Sequence, residues 1–437
     1  METSSRFAGL SFFGKEEESL DIQLVAGVDL HIIPTKQFKV TRILVDFAAP
    51  QAMASPSARN LVANLLVTSS AKYRTQTVLA RHLTSLYGAS LSGYVSRVGL
   101  AHTVRVKLSL INDQVAKTGL FERGSALLKE LLFNPLVDEA GFDQETYRLQ
   151  QANTIGTLQS WDDDKRFYAL RRLQQAYYQM GAELKRPASG TIDEVRALTR
   201  DVVYQAYQRM LTYDKVNIVV VGDVDPAAVT EAMRALDFQP RTNPFQESLL
   251  YHQASRPAPV VEVEHQLLAQ AKLDLAYHLP AYYHQENHVT AIVLNGLLGG
   301  TPYSMLFTNV REKASLAYYA SSSLRPFTGQ ILVETGINPV DQERARKLIE
   351  QQVADLAAGK FSDAQFQRVK EGLVNQYVTG LDNPNVLAQA RLTTALMGIE
   401  LSTGVEEKLR SVTRQDVCQL ANQMNLEAVF LLDARRN

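Results

Sequence analysis

The stretch Ser55–Val67 reads SPSARNLVANLLV. Serine before proline is a helix start: Ser55 sits at the N-cap, and Pro56 takes the first helical position, where no amide hydrogen is needed. Ala58, Leu61, Val62, Leu65 and Leu66 then recur at i, i+3, i+4, i+7 and i+8, the apolar stripe of an amphipathic helix. Asn60, Ala63 and Asn64 lie three and four apart on the other side. From the residues alone they read as a solvated face. A second stretch, Ile292–Gly299 (IVLNGLLG), repeats the apolar run around an asparagine, and Asn64 and Asn295 are 231 residues apart.

Outward from these helices the correspondence continues. Val40–Pro50 (VTRILVDFAAP) pairs with Ala271–Ala281 (AKLDLAYHLPA) at the same spacing of 231, each an alternating strand running into a turn. Leu198–Met210 (LTRDVVYQAYQRM) matches Val412–Met424 (VTRQDVCQLANQM), and each is followed by an apolar strand, from Val216 and from Glu427. Candidate strand pairs lie between, at Gly93–Leu108 and Ser321–Gly336. A shared order of elements at one offset predicts an internal duplication. The expected class is α+β: two homologous halves, each an antiparallel or mixed sheet covered by helices. Pro240, Pro244, Pro257 and Pro259 resist helix and central strand, which places a linker at 238–260 between an N-terminal domain, 1–237, and a C-terminal domain, 261–437.

Composition narrows the function. The 437 residues are 46% hydrophobic and 21% charged, as in an ordinary globular chain. Lys plus Arg total 45 and Asp plus Glu 46, a balance that speaks against a nucleic-acid binder. The single cysteine, Cys418, excludes a disulfide framework and a multi-cysteine zinc site, and its surroundings read as helix core. No apolar run approaches ~18 residues, and the N-terminus lacks the pattern of a secretory signal. The expectation is a cytoplasmic protein without a membrane span. In HQENH, His284 and His288 flank Glu286, but the zinc pattern H-E-x-x-H puts glutamate where Gln285 stands, so both read as surface histidines at a helix start. Asp162, Asp163 and Asp164 read as a solvated turn. Gly296, Gly299 and Gly300 end a helix and precede no phosphate-binding lysine.

SARNLVANLL resembles the zinc helix of the pitrilysin/insulinase-like metallopeptidases, whose signature is H-x-x-E-H. The two zinc histidines fall on Asn60 and Asn64, and the catalytic glutamate falls on Ala63. Leu83–Gly99, Leu127–Phe142 and Arg186–Val203 are similar to further family stretches, with Ser92 where the family usually has asparagine. Leu297–Tyr319 (LLGGTPYSMLFTNVREKASLAYY) is similar to the family's G-G-x-x-S-x-L-x-x-x-V-R-E-K-x-G-L-A-Y, with Ser315 in place of the usual glycine. Arg311 and Tyr318 fall on the family's substrate-binding pair, and the third zinc ligand would fall near Gln151 or Ala152.

The resemblance implies duplicated metallopeptidase-like domains forming half of a clamshell, with no catalytic residue of its own and no metal or cofactor. Asparagine amides are neutral and poor zinc ligands, and Ala63 offers no base. Zinc would belong to a homologous partner subunit. Arg311 and Tyr318 would hold a peptide or unfolded polypeptide for that partner. Zinc-less members in Gram-positive bacteria are associated with 5-aminopentanol modification of elongation factor P. The alternative is a scaffolding protein, like the inactive relatives in respiratory complexes, with no substrate contact.

Overall fold

Among the described residues the alternating and continuous apolar runs form eleven main strands in two sheets. The computed structural model describes residues 19–116, 118–241, 248–400 and 403–434. The first sheet contains β1 (Leu20–Val25), β2 (Val28–Pro34), β3 (Val40–Pro50), β4 (Ser90–Val98), β5 (Ala101–Ile111) and β6 (Lys215–Gly222), in the order β1-β2-β6-β3-β5-β4. The second contains β7 (Val260–Gln266), β8 (Ala271–His278), β9 (Ala317–Arg325), β10 (Gln330–Ile337) and β11 (Asn425–Ala434), in the order β9-β10-β8-β11-β7. Among the described residues only β2 with β6 and β11 with β7 run parallel. The matched stretches thus occupy matched places: β3 and β8 are central, and β4 and β9 are outer strands.

Period-two patterning gives each sheet two different faces. On one face of the first sheet, Ile43, Val45, Phe47, Val104, Val106, Ile218 and Val220 are fully buried. They form the core under α1 (Pro56–Leu66) and the helix Arg200–Tyr213. A long helix, α2 (Gln144–Asp163), packs beside α1. In the second sheet Leu275, Ile331 and Val333 are buried under α4 (His288–Asn295) and its neighbours.

The opposite faces are covered by exchange. Helix α3 (Lys165–Tyr177) belongs to the first half in sequence but lies across β8 and β11 of the second sheet. There Ala169, Leu173 and Tyr177 pack with Ala276, Leu332, Ala428 and Phe430. In return α5 (Pro384–Met397) lies across β6 and β3 of the first sheet. Polar ties accompany both helices: Arg166 to Glu334 at 2.9 Å, Tyr168 to Glu264 at 2.8 Å, and Arg105 to Gln389 at 2.8 Å. A division at 238–260 does not reveal this exchange, because neither helix differs in pattern from its neighbours.

Residues 239–241 and 248–259 form no helix or strand, and Pro244, like the N-terminal residues 1–18, lies outside the described residues. No helix among the described residues is long and apolar enough to cross a membrane.

Candidate functional site

Helix α1 is clamped against its sheet, and the motif positions share in the clamping. Ala63 is fully buried. Its carbonyl lies directly over Gly93 of β4, where an added Cβ would sit 2.1 Å from Ala63 O. Asn60 and Asn64 do not form a solvated face: they are half-buried and bonded. Asn60 Nδ2 donates to Ser189 O at 3.1 Å, and Asn64 Nδ2 donates to Thr154 Oγ1 of α2 at 2.9 Å. The helix brings its own apolar stripe to the sheet, so these amides are pressed against the next layer, α2 and the segment 186–190. Gln151 on α2 donates to Val195 O at 2.8 Å, and Ala152 is exposed.

The segment 186–190 is strapped across the N-terminal part of α1. Arg97 Nη1 donates to Leu184 O at 3.1 Å and to Arg186 O at 3.0 Å. Gly190 has φ +76°, and a Cβ there would come within 1.8 Å of Ser57 Oγ, so only glycine fits. Ser55 occupies the N-cap position but makes no capping bond. Below the helix, Arg59 pairs with buried Asp214 at 2.7 Å and donates through Nε to His102 Nδ1 at 3.0 Å. Burial, and then the Arg59 charge, pull the His102 pKa down to about 3, so the ring is neutral. With Nδ1 accepting from Arg59, Nε2 carries the hydrogen and donates to Ala188 O at 2.7 Å.

The second half is built differently at the same place. Helix α4 runs without a break into a π-helical turn, Gly296–Gly300, and a second π-helical turn spans Leu306–Lys313. Such turns are rare and recur at functional sites. Gly299 lets the first turn touch the outer strand: a Cβ there would lie 2.4 Å from Ser322 N of β9. Asn295, the counterpart of Asn64, accepts from Ser322 Oγ at 2.8 Å. Ser315, where glycine is usual, has φ +53°, a left-handed conformation that explains the glycine.

Arg311 lies on the second π-helical turn and is exposed, its guanidinium 4.5 Å from the Phe307 ring centroid. Tyr318 on β9 is 72% exposed. Among the described residues neither makes a side-chain hydrogen bond or ion pair. Tyr318 falls in a bulge of the pairing between β9 and β10, and Tyr319, one residue on, is stacked under Arg166 at 4.6 Å. The HQENH histidines do not both lie on the surface. His284 is exposed, but His288 is buried against Tyr283, with ring centroids 5.0 Å apart, and burial drops its pKa to about 3.

The comparisons with known proteins bear on both halves. The family model described as "Peptidase M16 inactive domain" matches residues 197–373. The chain is 29% identical over 414 residues to the "Probable inactive metalloprotease YmfF" of Bacillus subtilis, covering 93% of this chain and 96% of that protein. This chain belongs to the M16 family of peptidases. A crystal structure of a conserved protein from Enterococcus faecalis V583 is 33% identical, with a TM-score of 0.90 over 96% of this chain and 99% of that one. The peptidase M16 inactive domain from Pseudomonas fluorescens shares the fold at a TM-score of 0.79 and 14% identity, over 96% of this chain and 99% of that one.

Within the M16 family the chain is an inactive metalloprotease homologue. Zinc does not fit the motif positions. Two amides already bonded elsewhere and a buried methyl group offer no imidazole, no carboxylate and no base. Among the described residues, no three His, Cys, Asp or Glu side chains are grouped to hold a metal. The Arg59–Asp214–His102 set escaped sequence reading. A histidine and an arginine on apolar elements look like any satisfied core polar residues, and only the fold brings them under one helix.

Proposed function

We propose that this chain is the non-catalytic subunit of a two-chain cytoplasmic processing peptidase. Its two homologous domains, 1–237 and 261–437, form one side of a clamshell. A zinc-bearing homologue forms the other side and performs the cleavage. Arg311 and Tyr318 hold the peptide or unfolded polypeptide: the guanidinium binds carbonyl or carboxylate oxygens, and the phenol donates to the oxygen on which negative charge develops.

The observation that carries this reading is the contrast in commitment. The amides at the motif positions of α1 are spent on internal bonds. Arg311 and Tyr318 are exposed and, among the described residues, without a polar partner. The name of the Bacillus relative, a probable inactive metalloprotease, agrees with it. The elongation factor P association has no carrier among these residues, and the proposal does not depend on it.

The test is co-expression with the H-x-x-E-H homologue of the same cell, followed by peptide cleavage with Arg311→Ala and Tyr318→Phe. Each variant is expected to lower kcat/KM about tenfold or more while the complex still forms. Full cleavage with both variants, or by the partner alone, would leave only the scaffolding role.

A further inference from the structure

We propose that the first sheet carries, on the face turned toward the second half, a site for a carboxylate of the bound peptide, built on Arg42 and Lys107. The ligand rests on the peptide-binding reading above; the site itself rests on the following geometry.

Arg42 of β3 lies directly opposite Ser109 of β5, and Lys107 of β5 lies directly opposite Ser92 of β4. Directly opposed residues share a face, and neighbouring rows on that face are within side-chain reach. The four side chains therefore form one patch near the free edge of β4. Helix α5 lies across β6 and β3 and reaches the margin of this patch through Asn385, which accepts from Arg42, and Gln389, which donates to Tyr94 Oη of β4 at 3.2 Å; Arg42, Lys107 and Ser92 are left half-buried.

The other cations on this face have carboxylates. Arg105 meets Asp46 at 2.7 Å, Lys215 meets Asp29 at 3.9 Å, and Arg391 meets Asp21. Among the described residues Arg42 bonds only the neutral Asn385 side chain of α5. Lys107 has no hydrogen bond or ion pair among the described residues. Arg42 Nε, Ser92 Oγ and Ser109 Oγ are buried without a partner. Burial, and then the Arg42 charge beside it, hold the Lys107 ammonium below its ordinary pKa.

Two like charges half-removed from water, over unpaired donors, are costly unless an anion joins them. A carboxylate suits the set: the guanidinium and ammonium neutralise it, and the hydroxyls can complete its hydrogen bonds. A peptide is the source that fits the position. An extended chain lying against the free edge of β4 would present alternate side chains to this face.

The test uses the full chain and three fluorescent peptides of one sequence, read by anisotropy. One is neutral with an amidated C-terminus, one adds a single glutamate, and one is neutral with a free C-terminus. The expected result is that at least one carboxylate peptide binds about tenfold tighter than the neutral one. That advantage should fall below about twofold in Lys107→Gln and in Arg42→Gln and should shrink as salt rises. The neutral peptide should bind these variants as it binds the unmodified chain. Which peptide gains separates a side-chain carboxylate from a C-terminal one. Equal binding of all three peptides, or an advantage that survives both substitutions, overturns the site. Should no peptide bind, the peptide reading fails instead. The site then stands only if glutarate raises the melting temperature of the unmodified chain and not that of Lys107→Gln, and it falls if the two respond alike.

Discussion

In the first half the motif helix α1 is regular from Pro56 to Leu66, and both of its asparagines are engaged by the next layer. In the second half α4 ends at Asn295 and winds on through a π-helical turn, and a second such turn presents Arg311. Both halves press a helix against an outer strand through a glycine, but on opposite partners. Gly93 belongs to the strand β4, and Gly299 belongs to the π-helical turn. The duplicated design has therefore diverged in where it keeps side chains free. In the first half the positions matched to the zinc motif serve as packing, while the second half has its distorted backbone and, among the described residues, Arg311 and Tyr318 without a polar partner.

The largest expected effect would break the first half. Ala63→Glu places a carboxylate at a fully buried site, and it should cost about 3 kcal/mol or more in urea unfolding. Wild-type stability in this variant would mean that the space around α1 is open after all. Next in size are Gly93→Ala and Gly299→Ala. Each drives a methyl group into a backbone atom, Ala63 O at 2.1 Å or Ser322 N at 2.4 Å, and each should cost about 2–3 kcal/mol. A mild effect in one half only would show that its helix can lift from the strand.

A third comparison concerns the buried carboxylates on the matched central strands. In the first half, burial raises the Asp46 carboxyl, and the Arg105 guanidinium bonded to it at 2.7 Å opposes that rise. In the second half, Asp274 of β8 faces Glu334 directly across the strand pair. Burial, and then the Glu334 charge, push its carboxyl well above the usual range. A raised folded pKa contributes stability that is complete below the unfolded value of ~3.9 and is lost as pH rises through the folded value. Asp274→Asn should therefore raise the melting temperature, by an amount that grows from pH 4 upward. A constant difference across pH would show that Asp274 does not titrate this way.

The smallest effect expected is at Ser315. Ser315→Gly removes the strain of a left-handed serine at φ +53° and should stabilise by up to about 1 kcal/mol in thermal unfolding. It should leave the peptide binding proposed for Arg311 and Tyr318 intact, and a loss of binding would mean that the serine hydroxyl takes part.

Much of this was legible in the chain. The offset of 231 residues between matched stretches placed β3 and β8, and the motif stretches placed α1, α4 and the segment from Leu297 to Tyr319. Periodicity identifies a buried stripe because burial of apolar groups dominates folding, and that term repeats with the geometry of each element. The asparagines were misread for the same reason. Periodicity marks what faces the core, but it cannot tell a face exposed to water from one pressed against another layer. His288 was misread likewise: nothing local distinguishes a solvated imidazole from one packed on Tyr283.

The sequence by itself determined the repeat of matched stretches at one offset, the lack of any imidazole or carboxylate at Asn60, Ala63 and Asn64, and the placing of Arg311 and Tyr318 on a motif that departs from the family's at Ser315. Those are facts of residue identity and spacing, which need no third dimension. Only the tertiary structure decided that α3 and α5 exchange between the halves, that Arg59, His102 and Asp214 meet beneath α1, and that Arg42 and Lys107 lie together without a carboxylate among the described residues. Each of these joins residues far apart in the chain. Which charge meets which is set by sheet register and helix docking, neither of which leaves a local trace in the order of amino acids.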